Sequence, residues 1–486
     1  MKISAFSPAG ILDSRWLLPA GLAAAVAGGW LASQVGLVVA GALVALPVVA
    51  FVLLQTFHQP RAGLFTLLAY CFLIGVLARY DVLPQLGLLI DGLLLLTWIA
   101  VLFLPRGQLD WRRLNNDLCL IALGWFIITV LELLNPAGAS VLGWLYEMRA
   151  TALYWVLTVP LACLLLHRVQ DLRLFLQFII GFSVLGALYG IKQKLFGVSG
   201  AEQRWLDEGG AVTHLIWGRL RIFSFYSEAA QYGASQAHIA LVCLVLALGP
   251  FTWWKRCLSA GASGLCFYGM LISGTRGAFF VVVGSLFIYL ALNGRLKYLL
   301  IGCAVAGACF FLLKYTSIGS GNADIVRLRT ALDPNDASLQ LRLYNQARLS
   351  AYLTDHPLGG GVGSIGVWGM EYNPGTYLAP IAPDSYYVKI WAEYGIVGFL
   401  IWFGLMLYIL GKACGIVWRI RNPQLRQQLL ALTAGYGGIL LSSYGNEVMN
   451  QVPSAIIIFL SWVFIFQGPA LDKVLSQKNK LANSEY

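Results

Sequence analysis

The chain has 486 residues, 59% hydrophobic and only 11% charged, with a mean hydropathy of +0.73. An ordinary soluble domain carries about 25% charged residues, so a soluble globular enzyme is excluded and a polytopic membrane protein is indicated. The formal net charge of +11 would suggest nucleic acid in a soluble protein. In a membrane protein, lysine and arginine first gather on the cytoplasmic side, because positive loops resist translocation, and no nucleic-acid partner is inferred.

Apolar runs of about 18 residues or more predict an all-α polytopic membrane protein with about 14 transmembrane helices. They lie near 16–33, 35–54, 62–78, 83–104, 117–134, 150–166, 173–191, 230–250, 256–273, 277–293, 297–313, 384–411, 427–445 and 453–467. The first two are joined by almost nothing and read as a tight helical hairpin. No short cleavable signal is expected, because the run from Trp16 to Ser33 is followed at once by another.

With the N-terminus inside, one set of loops collects Arg61, Arg106, Arg112, Arg113, Arg168, Arg173, Lys255, Arg256, Arg295, Lys412, Arg419 and Arg421. The opposite short loops are nearly free of Lys and Arg. An even number of spans keeps this parity throughout, which places both termini inside. The chain then divides into N-terminal transmembrane helices (1–191), an outer-face segment (192–229) and further transmembrane helices (230–313). A large periplasmic helical loop (314–383) precedes C-terminal helices with a short cytoplasmic tail (384–486). The two outer segments hold the basic residues that break the trend, among them Lys192, Lys194, Arg204, Arg219, Arg221, Lys314, Arg327, Arg329, Arg342 and Arg348. Binding of an anion is the natural explanation. The nine cysteines are scattered, mostly inside apolar spans, and read as small buried hydrophobes.

Four stretches carry chemistry. In SGTRGAFF (273–280), glycines flank Arg276 at a membrane boundary. A guanidinium there offers a rigid fork of donors suited to phosphate, or it merely snorkels to the interface. In WGRLRIFSFYSEAAQYG (217–233), Arg219 and Arg221 sit among aromatics ahead of Glu228, as a lipid-phosphate and sugar contact or as an interfacial belt. In LRLYNQARLSAYLTDHPLGGGVGS (341–364), Leu341, Tyr344, Leu349 and Tyr352 predict one apolar helix face, with Arg342 and Arg348 off it. Pro357 and the glycines end that helix, and the glycine turn can offer backbone N–H groups to an anion. His356 reads as a helix-end structural residue because Pro357 follows it. In APDSYYVKIWAEYGIVG (382–398), Asp384 is expected at the N-terminus of a span, as a plain cap or as a catalytic carboxylate, with Ser385 and Tyr386 as adjacent donors.

Together these stretches resemble the O-antigen ligase and polymerase family of membrane glycosyltransferases. The family's Ser-x-Ser-Arg-Gly-Ala turn is matched by Ser273 to Ala278, with Thr275 at the second serine. Its Arg followed by a helix ending in His-Pro-Leu-x-Gly-x-Gly is matched by Arg342 and by His356 to Gly361. Its His-Asn-x-Tyr segment is matched from Asp384 to Gly398, and an upstream Arg-x-x-Gly-x-Phe segment loosely by Arg221 to Gln231. At the position of Asp384, family ligases have a histidine proposed to activate the acceptor hydroxyl. That aspartate, and Glu228 in a Ser-Glu-Pro-like setting, favour an exopolysaccharide repeat-unit polymerase over a lipopolysaccharide ligase.

The resemblance implies a bundle of some ten to fourteen helices and glycosyl transfer on the periplasmic face of the inner membrane. The donor would be an undecaprenyl-diphosphate-linked oligosaccharide, and the reaction inverting, GT-C-like and metal-independent, without cofactor. Arg276 and Arg221 would hold the diphosphate, supported by Arg219, Arg342 and Arg348. Asp384 would be the base, with Glu228 as the alternative and Ser385 and Tyr386 as substrate contacts. Membrane lipid and other polysaccharide assembly or export proteins would be further partners. A ligase would use the same donor with a different acceptor. A transporter would need mid-bilayer charges and a repeat. Asp91 is the clearest such charge, and no repeat is visible.

Overall fold

Lipid offers a backbone no water to bond, so apolar segments of this kind must satisfy their own N–H and C=O groups as helices. The computed structural model of the protein describes residues 37–80, 86–105, 107–216, 218–293 and 335–484, with scattered positions between 304 and 329. The expected span at 16–33, nearly all of that at 297–313, and much of the loop from 318 to 334, Arg327 included, lie outside the described residues.

In chain order the main helices are α1 (Leu37–His58), α2 (Pro60–Arg79), α3 (Gly87–Leu102) and α4 (Asp117–Leu131). Then follow α5 (Val141–Leu165), with a π-turn at Arg149–Leu153, and α6 (Val169–Phe196). The central group is α7 (Ala229–Ala247), α8 (Trp253–Ile272) and α9 (Gly277–Leu292). Beyond the loop come α10 (Ala337–Asp355), α11 (Gly366–Tyr372), α12 (Tyr386–Arg419), α13 (Pro423–Ser442), α14 (Ser454–Phe466) and α15 (Gly468–Ser484). The one sheet among the described residues is a two-residue ribbon, β1 (Leu215–Ile216) and β2 (Arg219–Leu220), antiparallel with Leu215 opposite Leu220.

Most expected spans are present as helices, but fewer are long enough to cross a membrane. Among the described residues six helices have the length and apolarity, or seven if Ser454–Phe466 and Gly468–Gln477, bent by 49°, form one span. The spans expected at 83–104 and 277–293 are helices of 16 residues, about 24 Å long at 1.5 Å per residue, shorter than a hydrocarbon core of about 30 Å. The helix expected at 384–411 instead runs to Arg419, 34 residues in all, and breaks at Gly395, whose φ is 66°.

That break explains the glycine run. Gly360 and Gly361 donate their N–H groups to the carbonyls of Ala392 and Glu393 at 2.9 and 3.0 Å, and Gly363 donates to Glu393 Oε1 at 3.0 Å. The expectation that the glycine turn presents N–H groups to an external anion is therefore corrected. They close a gap in α12, where unpaired carbonyls are costly. A Cβ on Gly395 would lie 2.0 Å from the carbonyl oxygen of Pro357, and one on Gly359 would lie 2.4 Å from the Gly395 nitrogen, so both partners of the Gly359–Gly395 contact need glycine.

The apolar face expected on α10 also shifts. Leu349 and Leu353 pack with Ile365, Leu378 and Val388, whereas Leu341 and Tyr344 are 55% and 62% exposed. His356 stacks on Tyr352 at 4.1 Å and bonds its Nδ1 to the Tyr352 carbonyl at 2.9 Å, a helix-end role.

At the core, α7 is buried almost all round and packs against α8, α9 and α13. Small residues let the last two backbones approach: a Cβ on Gly284 would be 3.0 Å from Gly438 Cα, and one on Gly438 would be 2.4 Å from the Val281 carbonyl oxygen. Such contacts drive helix association where lipid removes the hydrophobic contrast. Gly438→Val should therefore lower the detergent-solubilised melting temperature by the equivalent of about 1–3 kcal/mol. Gly404→Val, where a Cβ meets nothing within 4 Å, should leave it unchanged, and equal melting of the two would refute this packing.

Candidate active site

Four separated segments converge on one cavity of about 660 Å³. The first is the ribbon and the turn after it. Arg221 lines the cavity and donates to the Thr213 carbonyl at 3.0 Å and to Thr275 Oγ1 at 3.1 Å. The turn is held from behind by Arg79, a buried arginine that donates to the carbonyls of Ser224 at 3.0 Å and Ser227 at 3.1 Å and stacks on Phe223. Burial pushes the His214 imidazole down to about 4. The neutral ring accepts the Ala229 N–H on Nε2 at 3.1 Å and satisfies one free donor at the start of α7. Glu228, just before that start, lines the cavity and accepts from Gln451 Nε2 at 2.8 Å.

The second segment is the turn before α9. Ser273 Oγ donates to the Met270 carbonyl at 2.6 Å and accepts the Thr275 N–H at 3.1 Å, while Thr275 Oγ1 donates to the Ala229 carbonyl at 2.8 Å. These bonds fix a turn whose Gly274 has φ 58° and aim Arg276 into the cavity. Arg276 Nη1 meets Asp336 Oδ2 at 2.7 Å. Asp336 belongs to the third segment, where it caps α10 by accepting the Leu339 N–H at 3.0 Å, and Arg342 follows on the same helix, facing the cavity.

The fourth segment is the start of α12. Ser385, not Asp384, is the cap: its Oγ accepts the Val388 N–H at 3.4 Å and donates to the Ser443 carbonyl at 3.2 Å. The reading of Asp384 as a plain helix cap is thereby overturned. Asp384 sits one position earlier with φ 50°, a left-handed backbone that costs a non-glycine residue energy and clusters at functional sites. Its carboxyl faces the cavity, and no hydrogen bond or ion pair among the described residues engages it. Burial raises its proton affinity above the usual carboxylate range, Arg342 opposes this, and Glu447 adds to it.

The cavity thus gathers Arg221, Arg276, Arg342, Glu228, Asp384 and Ser385. The remaining candidates lie elsewhere. Arg219 is exposed on β2. Arg348 lies over Tyr377 and Tyr344 at 5.2 and 5.9 Å. Tyr386 is buried, its N–H bonded to the Ser443 carbonyl at 3.0 Å and its ring against Trp402. None of the three lines the cavity. Ser385 lines it with a hydroxyl already engaged, so its part is to fix the turn.

Sequence reasoning missed the stretch between α13 and α14, where Tyr444, Asn446, Glu447 and Gln451 line the cavity. It also missed the ion group behind it. Lys389 Nζ meets Glu147 Oε2 at 2.8 Å and Glu447 Oε2 at 3.3 Å. The available signal was a short polar loop, Asn446 to Gln451, holding a carboxylate and three amides but no Lys or Arg. Asp91, the clearest mid-span charge in the sequence, pairs with Arg149 at 2.6 Å. Among the described residues no group of three or more His, Cys, Asp or Glu is placed to hold a metal ion.

Chemically, a cavity lined by three guanidinium groups and by a carboxyl with no partner among the described residues can hold an anion and accept a proton. Residues 261–403 match the family model described as O-antigen ligase. The match supports membership of the O-antigen ligase/polymerase family, and it contains Arg276, Arg342 and Asp384 but neither Arg221 nor Glu447. No curated protein matches the chain.

Difference infrared titration against Asp384→Asn should place protonation of Asp384 above that of an ordinary carboxyl. Because the Arg342 cation favours the ionised form, Arg342→Gln should move the midpoint to still higher pH. A midpoint that stays put or falls in Arg342→Gln would show that the two groups do not face each other.

Proposed function

We propose that this protein is a membrane glycosyltransferase that joins polyisoprenyl-diphosphate-linked oligosaccharide units into exopolysaccharide at the outer face of the inner membrane. The observation that carries the reading is one cavity lined by Arg221, Arg276, Arg342 and Asp384, whose carboxyl no hydrogen bond or ion pair among the described residues engages. The family match supports lipid-linked glycan chemistry, and the distribution of basic loops supports the cavity facing the periplasm.

The donor diphosphate would lie on Arg276 and Arg221, with Arg342 alongside. Their preorganised donors stabilise the charge that develops on the leaving group. The acceptor hydroxyl oxygen attacks the anomeric carbon as the bond from that carbon to the phosphate oxygen breaks. Its proton passes to Asp384, and polyisoprenyl diphosphate departs with the bonding electron pair. A carboxyl of raised proton affinity suits this step, because a base is most effective when its pKa approaches the working pH. Glu228, already bonded to Gln451, is placed second as the base. Attack from the side opposite the leaving group inverts the configuration at that carbon.

Ligation to another acceptor would use the same donor face, and the description of the matched family keeps it as the alternative. The two readings separate in cells. With normal membrane levels, Arg276→Ala should abolish high-molecular-weight glycan while single lipid-linked units accumulate. Asp384→Asn should lose at least about a hundredfold in rate, the usual contribution of a general base, and Asp384→His should retain part of it. Polymer of normal length that stays unattached to its final carrier would establish ligation instead. Unimpaired synthesis in both the Arg276 and Asp384 variants would reject the site.

A further inference from the structure

The cavity contains more than the donor and base residues require. The stretch between α13 and α14 is stitched to the Asp384 turn: Tyr386 donates its N–H to the carbonyls of Ser443 at 3.0 Å and Asn446 at 3.2 Å, and Ser385 Oγ donates to the Ser443 carbonyl at 3.2 Å. Glu447 is therefore held beside Asp384, and both face the same space. Its Oε2 is taken by Lys389, itself 9% exposed and paired with the nearly inaccessible Glu147, whose Oε1 also accepts from Thr151 at 2.8 Å. No partner among the described residues engages Glu447 Oε1.

A carboxylate drawn partly out of water is costly without a compensating charge. Lys389 compensates it, so Glu447 can face the cavity with an oxygen to spare. A second observation points the same way. Gln451 donates its Nε2 to Glu228, while its Oε1 is buried and accepts nothing from the described residues. An unsatisfied buried acceptor calls for an incoming donor. The Asp384 carboxyl, Glu447 Oε1 and Gln451 Oε1 form a set of acceptors without donors of their own. Such a set repels phosphate and suits a ligand rich in hydroxyl groups.

Resting on the reading of this cavity as a glycosyltransferase site, we propose that Glu447 is an acceptor-binding residue, which receives a hydroxyl of the acceptor sugar on Oε1 while Lys389 holds Oε2. The cavity then has two kinds of contact. The arginines take the anionic donor, and the loop from Asn446 to Gln451 takes the neutral saccharide, presenting its nucleophilic hydroxyl to Asp384. Residues 446–451 lie beyond the segment matched by the family, so acceptor choice is assigned to a part of the chain separate from the donor motifs.

The test uses the full-length protein in lipid nanodiscs with two substrates. The donor is the host's lipid-linked unit, and the acceptor is an alkyl glycoside of the same unit, which lacks a diphosphate and can only accept. Glu447→Gln should raise the acceptor KM about tenfold or more, the usual loss for a hydrogen bond to a charged group, with the donor KM within about twofold of the parent. Glu447→Asp should recover part of the loss. An acceptor KM unchanged in Glu447→Gln, or equal rises in both KM values, would overturn the role of Glu447 while leaving the reading of the site intact. Failure of the parent protein to join the two substrates would overturn that reading and this assignment together. Should Glu447→Gln not accumulate, Glu447→Asp gives the same discrimination, since it keeps the charge opposite Lys389 but withdraws the oxygen by one methylene.

Discussion

The structure around the cavity depends on a buried ammonium. Lys389, on the first turn of α12, meets Glu147 of α5 and Glu447 of the loop before α14. Removing such a charge from water costs several kcal/mol unless it is paired and its remaining hydrogen-bonding sites are filled. Three otherwise independent parts of the chain are thus obliged to meet at one point. An apolar contact would allow these helices to slide or rotate with little loss, whereas a charged one specifies a single register. The cavity lies directly against that point, so the same interaction that fixes the helices also helps set where Glu447 and the Asp384 turn stand in it.

The arginine side is built on different physics. Arg221, Arg276 and Arg342 come from a ribbon, a helix-entry turn and a loop helix. Arg221 and Arg276 are set by bonds to neighbouring backbone or side-chain oxygens, whereas the buried Arg342 Nε has no hydrogen-bond partner among the described residues. Thr275 is central here: its hydroxyl accepts from Arg221 and donates to the Ala229 carbonyl, tying two arginine-bearing segments to the start of α7. Asp336 balances Arg276 at 2.7 Å, so under the proposed reading an arriving diphosphate would exchange one anionic partner for another instead of meeting a bare cation. Exchange of this kind favours a multiply charged ligand over a monovalent ion.

Much of this was legible in the sequence because it is rare there. In a chain with 11% charged residues, an arginine between glycines or an aspartate ahead of an apolar run stands out, and Arg221, Arg276, Arg342, Asp384 and Glu228 all reached the cavity. Helix type was legible for the same reason, since long apolar runs admit little else. What stayed hidden depends on contacts between distant positions. Glu147 and Lys389 lie far apart in the sequence, and only the fold makes them a pair. Span lengths were overread because hydropathy does not locate the end of a helix. Gly277–Leu292 is apolar throughout yet stops after 16 residues. On α10, the apolar spacing of Leu341 and Tyr344 suggested a buried face, but Arg342 on the same turn looks into the cavity, and that orientation leaves both side chains exposed.

The glycine contact at the break in α12 gives the loop a mechanical role. At Gly395 the helix stops supplying partners to its own carbonyls, and those of Ala392 and Glu393 are closed by Gly360 and Gly361. Pulling the loop away would leave two carbonyls unmatched within the upper part of a membrane helix, at a cost of several kcal/mol for each. The loop is therefore a splint that ties the first turns of α12 to the polar segment packed on them. Were the cavity to open for a bulky ligand, a seam elsewhere would let it do so with both carbonyls still matched.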